Sequence, residues 1–238
     1  MIGKILGRYQ GYLHTSFYLF ATVVTLLWLT SLSATQIILW ALFSNLLVGY
    51  LVSGYLHRYC SHKSWQPSRL VELVSLGLTS VFVLTPPLAW ASIHRQHHRY
   101  TDTDNDPHGN AHSITDNFMV FNKMPPVRMI PKWMIRDDAY MLCARWYWEI
   151  GIATGLIFYF LGMINIWLSI IAVAYVFQVT LNLFGHPSLK PTNNPLLSVL
   201  YSGELYHKYH HENPNNPRFG LIDAPYHFFI RFLNVRKD

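Results

Sequence analysis

Two long stretches of this 238-residue chain contain no charged side chain, and they limit its possible folds more than any other feature. Residues 9–57 and 150–189 contain no Asp, Glu, Lys or Arg. A membrane-spanning helix needs about 20 apolar residues, so each stretch has room for two. No small-residue cleavage site follows the first stretch, which disfavours a cleaved signal peptide. The sequence therefore predicts an all-α integral membrane protein with four spans in two hairpins, at about 16–32, 36–53, 148–161 and 164–181.

The charged residues fall on one side of such a membrane. All 18 basic and 12 acidic residues lie in the N-terminal arm, in 58–149 or from 190 onward. Lys and Arg accumulate on the cytoplasmic side, so we expect cytoplasmic sections at 57–147 and 186–238, forming a helical cap. We expect one domain over residues 1–238. The net charge of +6 suits anionic lipid head groups and gives no reason to expect nucleic acid.

A third uncharged segment, 73–93, contains the pair Pro86 and Pro87. The apolar part before the prolines has about 12 residues and is too short to cross a membrane. We expect a helix that lies on or dips into the interface. The residues before and after this segment then stay on the same face of the membrane.

Three histidine boxes adjoin these apolar stretches: His57 and His62; His94, His97 and His98; and His207, His210 and His211. In the second and third boxes the i, i+3, i+4 spacing places the imidazoles on one helix face. The i, i+5 spacing of the first box does not close on one face of a regular helix, so we expect its two histidines to straddle a helix end. Neutral imidazole suits iron, copper, zinc and nickel. One metal ion needs about three or four ligands, so eight imidazoles predict two metal ions in one site.

The boxes themselves contain no carboxylate. Soluble di-iron bundles use Glu and Glu-x-x-His repeats, whereas this chain has four Glu in all and none at that spacing. We expect carboxylates to accept hydrogen bonds from the outer ring nitrogens instead. The candidates are Asp102, Asp104, Asp106, Glu204 and Asp223, although a solvated surface position is the commoner role for any one of them.

The order of the boxes, His-x4-His, His-x2-His-His and His-x2-His-His between two apolar hairpins, resembles the membrane fatty acid desaturases. The likeness is to the Δ9 type, which includes stearoyl-CoA desaturase. Three further elements carry it: Thr101–His108 after the second box, Gly203–Glu204 before the third, and Asn182-x3-His186 after the last predicted span. The resemblance covers about residues 15–230.

By this resemblance the chain introduces a cis double bond, at the Δ9 position, into a saturated fatty acyl chain. The implied cofactor is two iron ions, with O2 as co-substrate and electrons from a separate ferredoxin or cytochrome b5. The acyl group arrives on CoA, on a carrier protein or on a lipid. The resemblance also implies that Asn182 reaches a metal through water. The implied metal ligands are His57, His62, His94, His97, His98, His186, His207, His210 and His211.

A column of small residues and one Asn precedes the first box at four-residue spacing: Ala41, Asn45, Gly49 and Ser53. It suits a groove for an acyl chain that runs down from the metal site. Close packing of membrane helices is the favoured interpretation, because small residues at this spacing are typical of it. The sequence leaves both interpretations open.

Two other functions remain as alternatives. Membrane hydroxylases and alkane monooxygenases use similar histidine boxes. A transition-metal transporter or sensor would also need imidazole clusters, but it should carry ionisable residues along its spans, where this chain has few. The remaining histidines are not predicted to bind metal: His14, His108, His112 and His227.

Overall fold

The computed structural model describes residues 12–108, 118 and 126–235, and in these residues the regular structure is helical, without a strand. The main helices are α1 (Tyr12–Leu29), α2 (Ala34–Val48), π1 (Gly49–Ser61), α3 (Arg69–Phe82), α4 (Pro87–Tyr100), α5 (Lys132–Ile135), α6 (Asp138–Arg145), α7 (Tyr147–Phe160), α8 (Ile164–Gly185), α9 (His207–Glu212), π2 (Tyr226–Ile230) and α10 (Arg231–Leu233). Short 3-10 turns lie at Val127–Met129 and Leu197–Val199. The all-α prediction is confirmed for these residues.

Two helices are long and apolar enough to cross a membrane. Helices α2 and π1 form one continuous helix, Ala34–Ser61, of 28 residues, and α8 has 22 residues; their most apolar 18-residue windows have mean hydropathies of 1.8 and 1.9. The other two predicted spans are the shorter apolar helices α1 and α7. Helix α1 packs along α8, which brings the two predicted hairpins together.

The turns of both hairpins lie where the sequence predicts them. Helix α1 ends at Leu29, and Ser33 caps α2: its hydroxyl accepts from the Gln36 amide, while the Gln36 side chain accepts from the Ser33 amide. Helix α7 ends at Phe160, and Gly162 takes a positive φ of 69° before α8 begins. A left-handed residue of this kind is usually Gly because it has no Cβ.

The first histidine box is carried by an unusual helix. In π1 the backbone hydrogen bonds join residues five apart rather than four. His57 lies inside π1 and His62 is its C-terminal cap, so the two straddle a helix end as predicted. The wide turn brings their rings to 5.3 Å between centroids. An i, i+5 pair that an α-helix would separate therefore lies together.

The segment with the two prolines is sharply bent. Helices α3 and α4 meet at 90° across the break, and Pro87 starts α4. Two backbone carbonyls at the end of α3 accept hydrogen bonds from α1. The Tyr18 hydroxyl lies 3.0 Å from Val83 O and 2.8 Å from Leu84 O. Helix α3 packs on α7 and α8, so the segment dips among the apolar helices. Taken as one broken span, α3 and α4 would be a third crossing.

The column of small residues packs against the segment that leads to the third box. Asn45 Nδ2 donates to Leu200 O at 2.5 Å, and Ser202 Oγ donates to Asn45 Oδ1 at 2.9 Å. Ser53 Oγ donates to Glu204, and Gly49 lies directly against Ser202. Ala41, one turn further down, is exposed. The column is thus a contact surface within the protein along most of its length.

This packing makes Gly49 sensitive to a single added carbon. A Cβ at Gly49 would lie 2.8 Å from the Ser202 Cβ and still closer to its hydroxyl, whereas a Cβ at Gly77 in α3 meets nothing within 4 Å. We expect Gly49→Ala to destabilise the protein by about 1–3 kcal/mol through overpacking. Thermal unfolding in detergent measures this.

Gly77→Ala is the matched control and should be neutral or stabilising by up to about 1 kcal/mol, since Ala favours a helix. Adding Ser202→Gly to Gly49→Ala should restore stability, because it removes both clashing atoms. Equal unfolding temperatures for the two single variants would contradict the packing described for Gly49.

Candidate metal centre

The nine predicted histidine ligands form two adjacent clusters whose ring nitrogens lie within 4.8 Å of one another in each cluster. The five-histidine cluster consists of His57, His62, His94, His98 and His210. The four-histidine cluster consists of His97, His186, His207 and His211. Each cluster could hold a metal ion. The structure therefore brings all nine together and divides them in a way the sequence did not predict.

The second and third boxes are split between the clusters in a reciprocal manner. In α4 the i, i+4 pair His94 and His98 faces the five-histidine cluster, and His97 faces the other. In α9 the i, i+4 pair joins the four-histidine cluster, and His210 crosses to the first. The rings of His98 and His211 stack at 4.3 Å where the clusters meet. Each of these two helices thus contributes to both clusters.

The ring nitrogens are spaced as ligands of a common ion would be. The Nε2 atoms of His57 and His98 lie 2.8 and 2.9 Å from His210 Nε2, and those of His186 and His207 are 2.9 Å apart. Two nitrogens bound at right angles to one metal at about 2.1 Å lie about 3 Å apart. The donor set fits borderline transition metals, for which imidazole is a preferred ligand.

Burial keeps six of the clustered imidazoles in the neutral form that binds metal. Loss of solvent lowers their pKa well below the usual value, and charge on neighbouring histidines lowers it further. These are His62, His94, His98, His207, His210 and His211. A ligating imidazole must be deprotonated at the nitrogen that faces the ion. These six side chains therefore need to lose no proton before they bind a metal at neutral pH.

Three carboxylates accept hydrogen bonds from the outer nitrogens of three predicted ligands; those of Glu204 and Asp106 are buried, and that of Asp102 is half-buried. His57 Nδ1 donates to Glu204 at 2.6 Å, His97 Nδ1 to Asp106 at 2.9 Å, and His186 Nδ1 to Asp102 at 2.9 Å. Such bonds fix the ring orientation and direct the other nitrogen toward the metal. Burial alone would raise the pKa of Glu204 and Asp106, but bonding to these histidines lowers it, so both carboxyls stay ionised.

The other two carboxylate candidates have different roles. Asp104 is exposed to solvent. Asp223 is buried and pairs with Arg58 at 2.7 Å instead of a histidine. Surface charge, the commoner role, is therefore the wrong expectation for Asp102, Asp106 and Glu204.

Several known proteins named as desaturases are similar to this chain over most of its length. No family model matches the chain. Stearoyl-CoA desaturase 5 of Homo sapiens is 24% identical over 235 residues, covering 82% of this chain and 69% of that protein. An sn-1 stearoyl-lipid 9-desaturase of Anabaena variabilis is 25% identical (76% of this chain, 75% of that one). An acyl-CoA Delta(11) desaturase of Trichoplusia ni is 26% identical (66% and 53%).

The chain is related to the membrane fatty acid desaturases, at about 25% identity over most of its length. Members of this family are oxidoreductases. Together with the apolar helices, this relationship makes the chain an integral membrane protein. The resemblance read from the histidine boxes is confirmed.

In this relative of the desaturases one cavity touches both histidine clusters. It is bounded by His57 and His94 of one cluster and by His97 and His207 of the other. Its apolar wall consists of Val52, Ala89, Ile93 and Leu181. Asn182 and Gln178 add amide groups, and the latter accepts a 2.7 Å bond from Trp90 Nε1. Asn182 thus bounds the same cavity as histidines of both clusters. Of the described residues that bound this cavity, none belongs to the column from Ala41 to Ser53.

The sequence missed two histidines that lie near the site. His108 stacks on His97 at 4.4 Å and forms a third group with His97 and Asp106. His14 bounds the far end of the cavity and bonds the Tyr147 hydroxyl at 2.5 Å. Neither has the spacing of a box, so only the fold reveals them. His227 bonds Leu221 O away from the clusters, and His112 lies outside the described residues.

The carboxylate contacts predict a selective effect on metal binding. Asp106→Asn removes the charged acceptor of His97, and loss of such a partner typically costs about 10–100-fold in metal affinity. We expect this loss in titrations of the purified protein with Fe2+. Asp104→Asn, two residues away and exposed, is the matched control and should bind as the parent does. An equal effect of both substitutions, or of neither, would argue against the assigned contact.

Proposed function

We propose that this chain is an O2-dependent fatty acyl desaturase that forms a cis double bond, at the Δ9 position, in a saturated acyl chain. The observation that carries the proposal is the apolar-walled cavity that opens on two adjacent histidine clusters in a chain related to desaturases. Relatives named as Δ9 enzymes favour that position, while the Δ11 relative shows that the position varies within the family.

The nine clustered histidines are the proposed ligands of two iron ions, with Asn182 as a partner through water. When bound, the iron pair supplies an oxidant derived from O2 that is strong enough for unactivated carbon–hydrogen bonds. The chain's own residues do the rest. Val52, Ala89, Ile93 and Leu181 hold the alkyl chain beside the clusters and exclude water. Glu204, Asp102 and Asp106 keep the imidazoles oriented throughout turnover.

The remaining parts of the proposal concern the surroundings of the site. We propose a single desaturase domain over residues 1–238, with four spans and a cytoplasmic active site. The four spans are supported by the two long apolar helices, α2–π1 and α8, and by the two shorter ones, α1 and α7. The cytoplasmic side is supported by the one-sided charge. A separate ferredoxin or cytochrome b5 supplies the electrons. The acyl donor is an acyl-CoA, an acyl-carrier protein or an acyl-lipid. Relatives named as stearoyl-CoA and stearoyl-lipid desaturases support the acyl-CoA and the acyl-lipid.

Product analysis tests this function directly. The purified protein, loaded with iron and given a reductant and O2, is supplied with each acyl donor, and the products are measured by mass spectrometry. We expect loss of two hydrogen atoms, with the bond position located after derivatisation. His97→Ala should abolish the product, and His227→Ala, which removes a histidine outside the clusters, should not.

Gain of one oxygen atom would identify a hydroxylase instead. Metal uptake into vesicles without any change in the acyl chain would identify a transporter. Either result would overturn the proposed reaction.

The cavity wall predicts where chain length is controlled. Ala89 is buried on the cavity, so Ala89→Leu fills space that the alkyl chain would occupy and should shift the preferred substrate to shorter chains. Ala41 is exposed and lies off the cavity, so Ala41→Trp should leave the product profile unchanged. Competition between donors of different length measures both. A shift caused by Ala41→Trp alone would restore the column as the acyl groove.

A further inference from the structure

Arg58 directly follows the first histidine ligand, and its side chain is completely buried. Its Nη1 donates to both carboxylate oxygens of Asp223, at 2.7 and 2.9 Å, and to Pro217 O at 2.9 Å. Its Nη2 lies 3.5 Å from Glu204 Oε1. A buried charge is tolerated only with partners of this kind, because its desolvation is costly. Arg58 therefore links two buried carboxylates from different parts of the chain.

The first link leads to the five-histidine cluster through Glu204. The same carboxylate accepts from His57 Nδ1 at 2.6 Å and from the Ser53 hydroxyl. Arg58 thus supplies positive charge beside the group that orients His57. Without it, Glu204 and Asp223 would be two buried carboxylates with no guanidinium between them, an arrangement that is strongly destabilising.

The second link leads to the same cluster through Phe219. Asp223 accepts from the backbone amides of Phe219 at 2.7 Å and Tyr226 at 3.2 Å, which fixes the turn between them. The Phe219 ring lies 3.8 Å from the Arg58 guanidinium carbon, within the range of a cation–π contact. The centroid of the same ring lies 4.5 Å from that of His210 and 5.4 Å from that of His57. Phe219 covers the cluster, and Arg58 holds it there.

The four-histidine cluster is held differently. Its His97 and His186 donate to Asp106 and Asp102, which belong to the segment after α4. In the described part of the chain the side-chain contacts of Arg58 lead to the five-histidine cluster, whereas the four-histidine cluster meets Glu204 at its backbone, where His207 Nδ1 donates to Glu204 O at 3.3 Å. A change at Arg58 should therefore affect the two clusters unequally.

We propose that Arg58 is a positioning residue for the five-histidine cluster. One guanidinium holds Glu204 against His57 and Phe219 over His57 and His210, and so sets the metal affinity and the water access of this cluster but not of its neighbour. The inference rests on the part of the proposed function that places one metal ion in each cluster. It does not depend on the acyl substrate or on the reaction.

The test uses the full-length protein in detergent, loaded with 57Fe and then dialysed against a chelator. Iron per chain and the Mössbauer spectrum, which separates unlike iron environments, are measured for Arg58→Met, Arg58→Lys and Arg218→Met. Arg218 directly precedes Phe219 but is exposed to solvent, so Arg218→Met is the matched control. We expect Arg58→Met to weaken one of two iron sites about 10–100-fold and to remove one spectral component. Arg58→Lys, which keeps the charge, should retain more of that component, and Arg218→Met should match the parent.

Phe219→Leu provides a second test if Arg58→Met does not fold. This change keeps the hydrogen bond from the backbone amide of residue 219 to Asp223, and it keeps the Arg58–Asp223 pair. It removes the aromatic ring that packs against His210. We expect the chelator to extract one of the two irons several-fold faster and the other at the parental rate.

Equal loss of both iron components in a folded Arg58→Met protein would overturn the proposal. So would an unchanged spectrum and occupancy, or a parent that binds fewer than two irons. A parent that binds two irons and shows the selective loss, yet forms no desaturated product, would refute the proposed function and leave the role of Arg58 intact.

Discussion

The structure depends on nine imidazoles that face one another and must be held there by groups outside the clusters. Burial favours the neutral form of residues such as His94 and His207, because it lowers their pKa. Orientation comes from Glu204, Asp106 and Asp102, each of which accepts a hydrogen bond from the outer nitrogen of one ligand. The helices then have to deliver ligands from four distant places in the chain to one point.

Three irregularities of the helices accomplish this delivery. The π-helical turn of π1 brings His57 and His62 together at a spacing that an α-helix would not allow. The 90° break between α3 and α4 turns the second box back toward the first, and His62 and His94 Nε2 meet at 2.9 Å. The end of α8 at Gly185 leaves His186 to turn toward His207. Gly185 fits this contact, since a Cβ there would lie 2.8 Å from the His207 ring.

Much of this could be predicted from the sequence, because the signals are local. Uncharged stretches indicate the apolar helices, and the gaps between the predicted spans indicate the turns at Ser33 and Gly162. The three boxes indicate eight of the nine clustered histidines. What could not be predicted depends on contacts between distant segments. The π-helix has no residue pattern that distinguishes it from an α-helix, and the reciprocal division of α4 and α9 between the clusters requires their relative placement. The column from Ala41 to Ser53 favoured helix packing but left an acyl groove open until Leu200 and Ser202 were seen against it.

We propose that the two clusters are two metal sites lying side by side. Anomalous X-ray scattering at the iron edge, from crystals of the iron-loaded protein, locates the metal ions. We expect two peaks, one among His57, His62, His94, His98 and His210 and one among His97, His186, His207 and His211. A single peak, or a peak outside these two groups, would contradict it.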